Sequence, residues 1–194
     1  MIDIKLEKKP VKPRIIEGFP GFGLIGTITT EFLIEHLKAK KIGYFYYDEL
    51  PATVAIHNEQ LVDPMGIFFD SKYNLVILHT ILNTIGMEWK LSSAILKMAN
   101  DLKATEIISL EGVSSPQVTE STRVFFYTND EKKRKRLRKS GLEPLKESII
   151  VGVSGALMLH SKLPITCFFA ETKSEHPDSK AGSNIIKALD DYLG

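Results

Sequence analysis

The chain has 194 residues, 43% hydrophobic and 25% charged, the balance of an ordinary globular domain. Lys and Arg total 25 against 24 for Asp and Glu, and a net charge of +1 lacks the basic excess of a dedicated nucleic-acid binder. A single cysteine, Cys167, leaves no internal disulfide, and no apolar run reaches the roughly 18 residues of a membrane span. The opening MIDIKLEKKP is charged and alternating, unlike a signal peptide, so a cytoplasmic protein is expected.

In chain order, residues 1–13 read as an N-terminal extension, followed by one α/β domain over 14–194. Arg14 to Gly18 is a short strand running into Phe19-Pro20-Gly21-Phe22-Gly23, where glycine and proline force a tight turn. A helix follows, with Leu24, Ile25, Ile28, Phe32 and Leu37 on one face at helical spacing. Gly43 to Tyr47 reads as a strand with four consecutive aromatic residues from Tyr44. Alternate side chains on a strand face opposite ways, so this strand is either covered on both faces or meets another subunit.

Thr53 to His57 and Ile67 to Phe69 are shorter strands, and Asn74 to Thr80 is a continuous apolar run typical of a strand buried on both faces. A long helix spans Glu88 to Leu102, with Leu91, Ile95, Met98, Ala99 and Leu102 as its stripe. Thr105 to Leu110 and Arg123 to Tyr127 are strands, the second leading into a charged helix. The periodicity then predicts a strand at Ser148 to Val153, a short helix from Ser154 to His160 capped by that serine, a strand at Pro164 to Ala170 and a closing helix from Ser183 to Leu193. Alternating strands and helices imply a three-layer α/β/α sandwich around a largely parallel sheet.

Gly21-Phe22-Gly23-Leu24-Ile25-Gly26 fits the dinucleotide fingerprint G-x-G-x-x-G between a strand and a helix. Free N–H groups at a helix start favour a phosphate, and Asp48, 22 residues beyond Gly26, stands where a ribose-binding acid would. A dinucleotide- or nucleoside-binding enzyme using Gly21, Gly23, Gly26 and Asp48 is therefore one reading. The other is that these glycines let the first helix pack closely on the sheet, a reading favoured by the bulk of Pro20 and Phe22. The five histidines, His36, His57, His79, His160 and His176, lack paired metal spacing, and His57 and His79 read as polar strand ends. Gly152-Val153-Ser154-Gly155 lacks a residue needed for a nucleophile elbow, so no catalytic residue is assigned there. Cys167, inside an apolar strand, is expected to be inert. Lys132 to Lys139 holds seven basic residues in eight positions, preceded by Asn129-Asp130-Glu131 and followed by Gly141. Without interleaved aromatics, this stretch reads as a solvated or subunit-facing helix rather than a nucleic-acid site.

The segment Glu-Gly-Phe-Pro-Gly-Phe-Gly-Leu-Ile-Gly at Glu17 to Gly26 resembles the opening signature of the proteasome assembly chaperone family, the archaeal and bacterial relatives of the second subunit of the eukaryotic assembly-chaperone heterodimer. Leu50-Pro51-Ala52, Leu110-Glu111-Gly112, Gly152 to Leu157, and Ala170-Glu171-Thr172 leading to Pro177-Asp178 follow in the same order. The resemblance spans about Arg14 to Leu189. It implies a phosphorylase-like α/β/α domain, self-association into oligomers, a partnership with proteasome α subunits or a related chaperone, and neither cofactor nor catalytic residue. It also implies a docking tail ending hydrophobic-Tyr-any. Here Tyr192 is third from the last residue and shares a helical face with Ile185 and Leu189, so this chain is expected to lack that tail.

Overall fold

The computed structural model describes residues 2–48, 50–57, 59–114, 123–173 and 176–194. The strands with continuous apolar sequence lie at the middle of the sheet, where both faces are covered. They are β2 (Arg14–Gly18), β7 (Leu75–Thr80), β8 (Glu106–Ser114) and β11 (Ile165–Thr172), mutually parallel in the order β7-β2-β8-β11. Towards one edge the order continues through β6 (Met65–Asp70) and β3 (Lys40–Tyr46) to β1 (Asp3–Leu6), each pairing antiparallel. Towards the other it runs through β9 (Val124–Thr128), antiparallel to β11, to the two-residue β10 (Glu143–Pro144), parallel to β9. The sheet is thus parallel at its centre and mixed towards its edges, and residues 3–6 supply one edge strand. A hairpin of β4 (Ala55–His57) and β5 (Gln60–Val62) forms a separate two-stranded sheet.

Helices cover both faces, which gives the three layers. On one face α2 (Glu88–Asp101) and α4 (Gly152–His160) bury Leu91, Ile95, Met98, Val153 and Leu157 against Ile15, Val76, Leu78, Ile107 and Phe169. On the other, α1 (Ile25–Leu37), α3 (Glu131–Lys139) and α5 (Ser179–Leu193) bury Ile25, Leu33, Leu137, Ile185 and Leu189 against Ile16, Ile77, Ile108 and Phe168. No helix among the described residues is long and apolar enough to cross a membrane.

Three local expectations need correction. Residues 148–151 form no strand, because α4 begins at Gly152, with φ +87, and draws the remainder of that apolar run into a helix. Ser154 therefore lies inside α4, where Val151 holds the cap position. The buried face of α1 is Ile25, Gly26, Thr29, Thr30 and Leu33, while Phe32 is exposed. Small residues win that face because the helix approaches the sheet too closely for larger ones. The Thr29 and Thr30 hydroxyls remain satisfied by donating to the Ile25 and Gly26 carbonyls at 2.7 and 3.0 Å.

Among the four aromatics of the third strand region, Phe45 and Tyr47 are buried, Tyr44 is half-buried beneath the Lys41 ammonium, and Tyr46 is exposed. α5 starts earlier than periodicity suggests, at Ser179. Its first turn is closed by Asp178, whose carboxylate accepts the Ala181 N–H at 3.0 Å.

Candidate functional site

The parallel strands end together at Gly18, Thr80, Ser114 and Thr172, the edge at which open α/β sheets hold ligands. The glycine segment crosses this edge as a 3-10 turn at Phe22–Leu24 followed by α1. Gly23 and Leu24 are both left-handed, with φ 68 and φ 49. The glycines are used mainly for close approach. A Cβ on Gly26 would stand 2.5 Å from the Leu110 carbonyl oxygen and 2.9 Å from the Gly18 Cα, and one on Gly21 would stand 1.9 Å from Glu111 Oε1. Gly23 packs on Thr172, and its carbonyl accepts the Asp178 N–H at 3.0 Å, tying the turn to the start of α5.

Beneath the turn lies the chain's own Glu111 carboxyl. Glu111 accepts the Gly112 N–H at 3.1 Å and also the Phe22 N–H. Asp48 follows β3, which β6 and β7 separate from β2, so about 14 Å of sheet lies between the two strands. Gly21, Gly23 and Gly26 are thus brought together, and Asp48 is not brought to them.

Sequence reasoning did not single out the buried pair that lies here. Glu17 and Glu111 face each other through two hydroxyls. Ser109 Oγ is 2.7 Å from both Glu17 Oε2 and Ser154 Oγ, while Ser154 Oγ is 3.0 Å from Glu111 Oε2 and 3.3 Å from Glu17 Oε2. The Phe19 N–H closes the far side, donating to Glu17 Oε1 at 2.9 Å. Two hydroxyl protons can fill only two of these four oxygen contacts, so a proton on one carboxyl supplies a third. Burial accordingly pushes Glu17 up, and burial together with the Glu17 charge pushes Glu111 up to about 8. The signal in the sequence was a glutamate within each of two strands otherwise buried on both faces, in Arg-Ile-Ile-Glu-Gly and Ser-Leu-Glu-Gly.

The other polar candidates are engaged structurally. His79 is the penultimate residue of β7, with Nδ1 2.9 Å from the Thr30 hydroxyl, and burial lowers its pKa to about 4. His160 packs on Trp89, and His36 stacks on Phe32. The side chain of His57 lies outside the described residues. No metal-holding cluster of His, Cys, Asp or Glu occurs among the described residues. Cys167 is fully buried, and burial keeps its thiol protonated. On the basic helix, Lys133 reaches the buried Glu106 at 2.7 Å, Arg134 pairs with Glu131, and Arg136 donates to the Tyr192 carbonyl at 2.8 Å. Tyr192 is buried, and its hydroxyl donates to Glu106 at 2.5 Å.

Outside this network the mouth opens into a cleft of about 880 Å³ between the glycine turn, the segment after β7 and residues 148–152. Its walls are largely apolar, and Ile85, Ile149 and Val151 stand mostly exposed on its rim. Trp89 and Leu159, also exposed, carry the apolar character onto α2 and α4. A surface of this kind suits a protein partner better than solvent.

These features define a three-layer α/β/α protein with a close-packed glycine turn and an exposed apolar mouth. The sequence matches the PAC2 family over residues 15–194, and the chain belongs to that family. Among solved structures it is similar to Pyrococcus furiosus PbaA, described as an archaeal homolog of proteasome-assembly chaperone, with a TM-score of 0.93 and 25% identity, covering 100% of this chain and 86% of that one. Pyrococcus furiosus PbaB, described as an archaeal proteasome activator, shares the fold with a TM-score of 0.83 and 23% identity, covering 100% and 89%. An uncharacterized protein of Methanocaldococcus jannaschii is 25% identical over 180 residues, 91% of this chain and 74% of that one.

Proposed function

We propose that this chain is a non-enzymatic, oligomeric chaperone of the cytoplasm that assists assembly of the proteasome core particle or a closely related complex. The observation that carries the reading is the whole-chain likeness to PbaA, TM-score 0.93, within a family that matches almost the full sequence. The site supports it in two ways. Glu111 accepts the Phe22 N–H of the glycine turn, which occupies a donor that a phosphate would use, and the open cleft above it is apolar at its rim. Its partners are further copies of itself and proteasome α subunits. The basic helix contributes surface charge and anchors α5, and nucleic acid is not among the proposed ligands.

The test is reconstitution. Purified proteasome α and β subunits are mixed with and without this chain, and the yield of core particle is followed over time. A faster or fuller yield with the chain is expected, and identical time courses would sink the reading.

A further inference from the structure

Two parts of this chain are left incomplete by their own fold. The first is residues 146–151, Lys-Glu-Ser-Ile-Ile-Val, a sequence rich in strand-forming residues. Val151 is extended, with φ −109 and ψ 170, yet the N–H groups of 146–151 donate to no backbone carbonyl among the described residues. Ile149 and Val151 are 90% and 75% exposed on the rim of the cleft, opposite Ile85 at 80%. The second is the β4–β5 hairpin. Among the described residues it belongs to no larger sheet, and Ile56 and Leu61, which face each other across the ladder, are 74% and 76% exposed, with Val54 also exposed at its base. An isolated two-stranded hairpin is marginal in water, and a third strand with an apolar face is what makes such a unit hold.

Each part supplies what the other lacks. We infer that the β4–β5 hairpin of one copy of this chain docks in the mouth of a second copy, where residues 148–151 pair with it as a third strand and its apolar side chains pack on Ile85, Ile149 and Val151. This rests on the oligomeric reading above and names the surface that serves it. Strand addition gives backbone hydrogen bonds to both exposed edges, and the alternating side chains set the register. The area is adequate. A specific interface buries about 1,000 Å² or more in total, and six large apolar side chains each 55% to 90% exposed, with the backbone they bring along, supply surface of that order. The hairpin also lies near the rim in its own copy, since the Ile81 N–H donates to the Pro64 carbonyl at 3.1 Å just after β5. Two copies can therefore exchange hairpins reciprocally, which doubles the contact.

The experiment is a complementation between two surface variants. Ile149→Asp breaks the receiving mouth and leaves the hairpin intact, while Leu61→Asp breaks the hairpin and leaves the mouth. Native mass spectrometry at micromolar concentration is run on the parent chain, on each variant, and on a mixture in which Leu61→Asp is isotopically labelled. The parent is expected to self-associate, each variant alone to lose at least about tenfold in self-affinity, and the mixture to recover complexes containing one labelled and one unlabelled chain. Both sites are exposed in the single chain, so the circular dichroism spectrum should not change; if aspartate alters it, Ile149→Ser and Leu61→Ser replace the pair. Variants that associate as tightly as the parent, or a mixture that recovers nothing, would overturn this contact while leaving the oligomeric reading in place. A parent chain that stays monomeric overturns both.

Discussion

Gly26 shows how one missing Cβ positions a whole helix. Leu110, Gly18 and Phe19 surround it so closely that α1 can lie on β2 and β8 at this point only if the residue is glycine. Gly26→Ala should cost about 1–3 kcal/mol, the usual penalty of overpacking, and lower Tm by roughly 2–4 °C for each of these. A thermal scan showing no change would mean that this contact is not what holds the turn.

The Glu17–Glu111 pair adds a pH dependence of known sign. The Glu111 carboxyl is raised from its ordinary 4.5 to about 8, so across that window the folded chain keeps a proton that the unfolded chain releases. Its contribution is complete below 4.5 and is lost as pH rises towards 8. His79 works the other way. Lowered from 6.5 to about 4, it costs stability as pH falls through that range. The two oppose each other below pH 6.5, and above it the histidine no longer contributes, while burial of Glu17 acts in the same direction as Glu111. Tm should therefore decline between pH 6.5 and 8, and Glu111→Gln should flatten the decline; an unchanged slope would contradict this assignment.

At this scale the sequence was half legible. The glycine spacing was plain, but the close packing at Gly21 depends on Glu111, 85 residues beyond Gly26 and brought beneath the turn only by the parallel pairing of β8 with β2.

Between elements, the most consequential link joins the basic helix α3 to the closing helix α5. Lys133, Tyr192 and Thr166 converge on the buried Glu106, with Thr166 donating at 2.6 Å and Tyr192 at 2.5 Å. The charge run is thus partly a structural device, which local sequence could not show because Glu106 belongs to a strand 27 residues earlier. Lys133→Met leaves that carboxylate without its cation. The expected loss is about 3 kcal/mol, at the low end for a broken buried pair because Lys133 retains some contact with water. Denaturant unfolding should show the loss, and adding Glu106→Gln should recover much of it; equal stability of Lys133→Met and the parent would show that the pair contributes nothing.

The misread segment at 148–153 is instructive in the same way. Its apolar residues have strand character throughout, but the left-handed Gly152 turns the chain into α4 and leaves 148–151 outside the sheet, with Val151 extended. Local propensity gave these residues strand character, and the chain supplies no neighbouring strand among the described residues for them to pair with.

The whole molecule follows from alternation. Apolar runs at β7, β8 and β11 demanded cover on both faces, the intervening amphipathic helices provided it, and the three-layer arrangement was readable before any contact was known. The antiparallel edge was less so. β1, β3, β6 and β9 are short or only partly apolar, and their directions are set by pairing rather than by composition. What the fold leaves outside its layers is as informative as what it buries: a small hairpin, residues 148–151 and an apolar mouth, all suited to contact with other chains.

The proposed role in proteasome assembly is tested most directly by following the α and β subunit reconstitution with native mass spectrometry at successive times. The prediction is an early species in which this chain is bound to α subunits, followed by a higher yield of core particle than in its absence. Core particle forming at the same rate and yield, with no species containing this chain at any time, would contradict it.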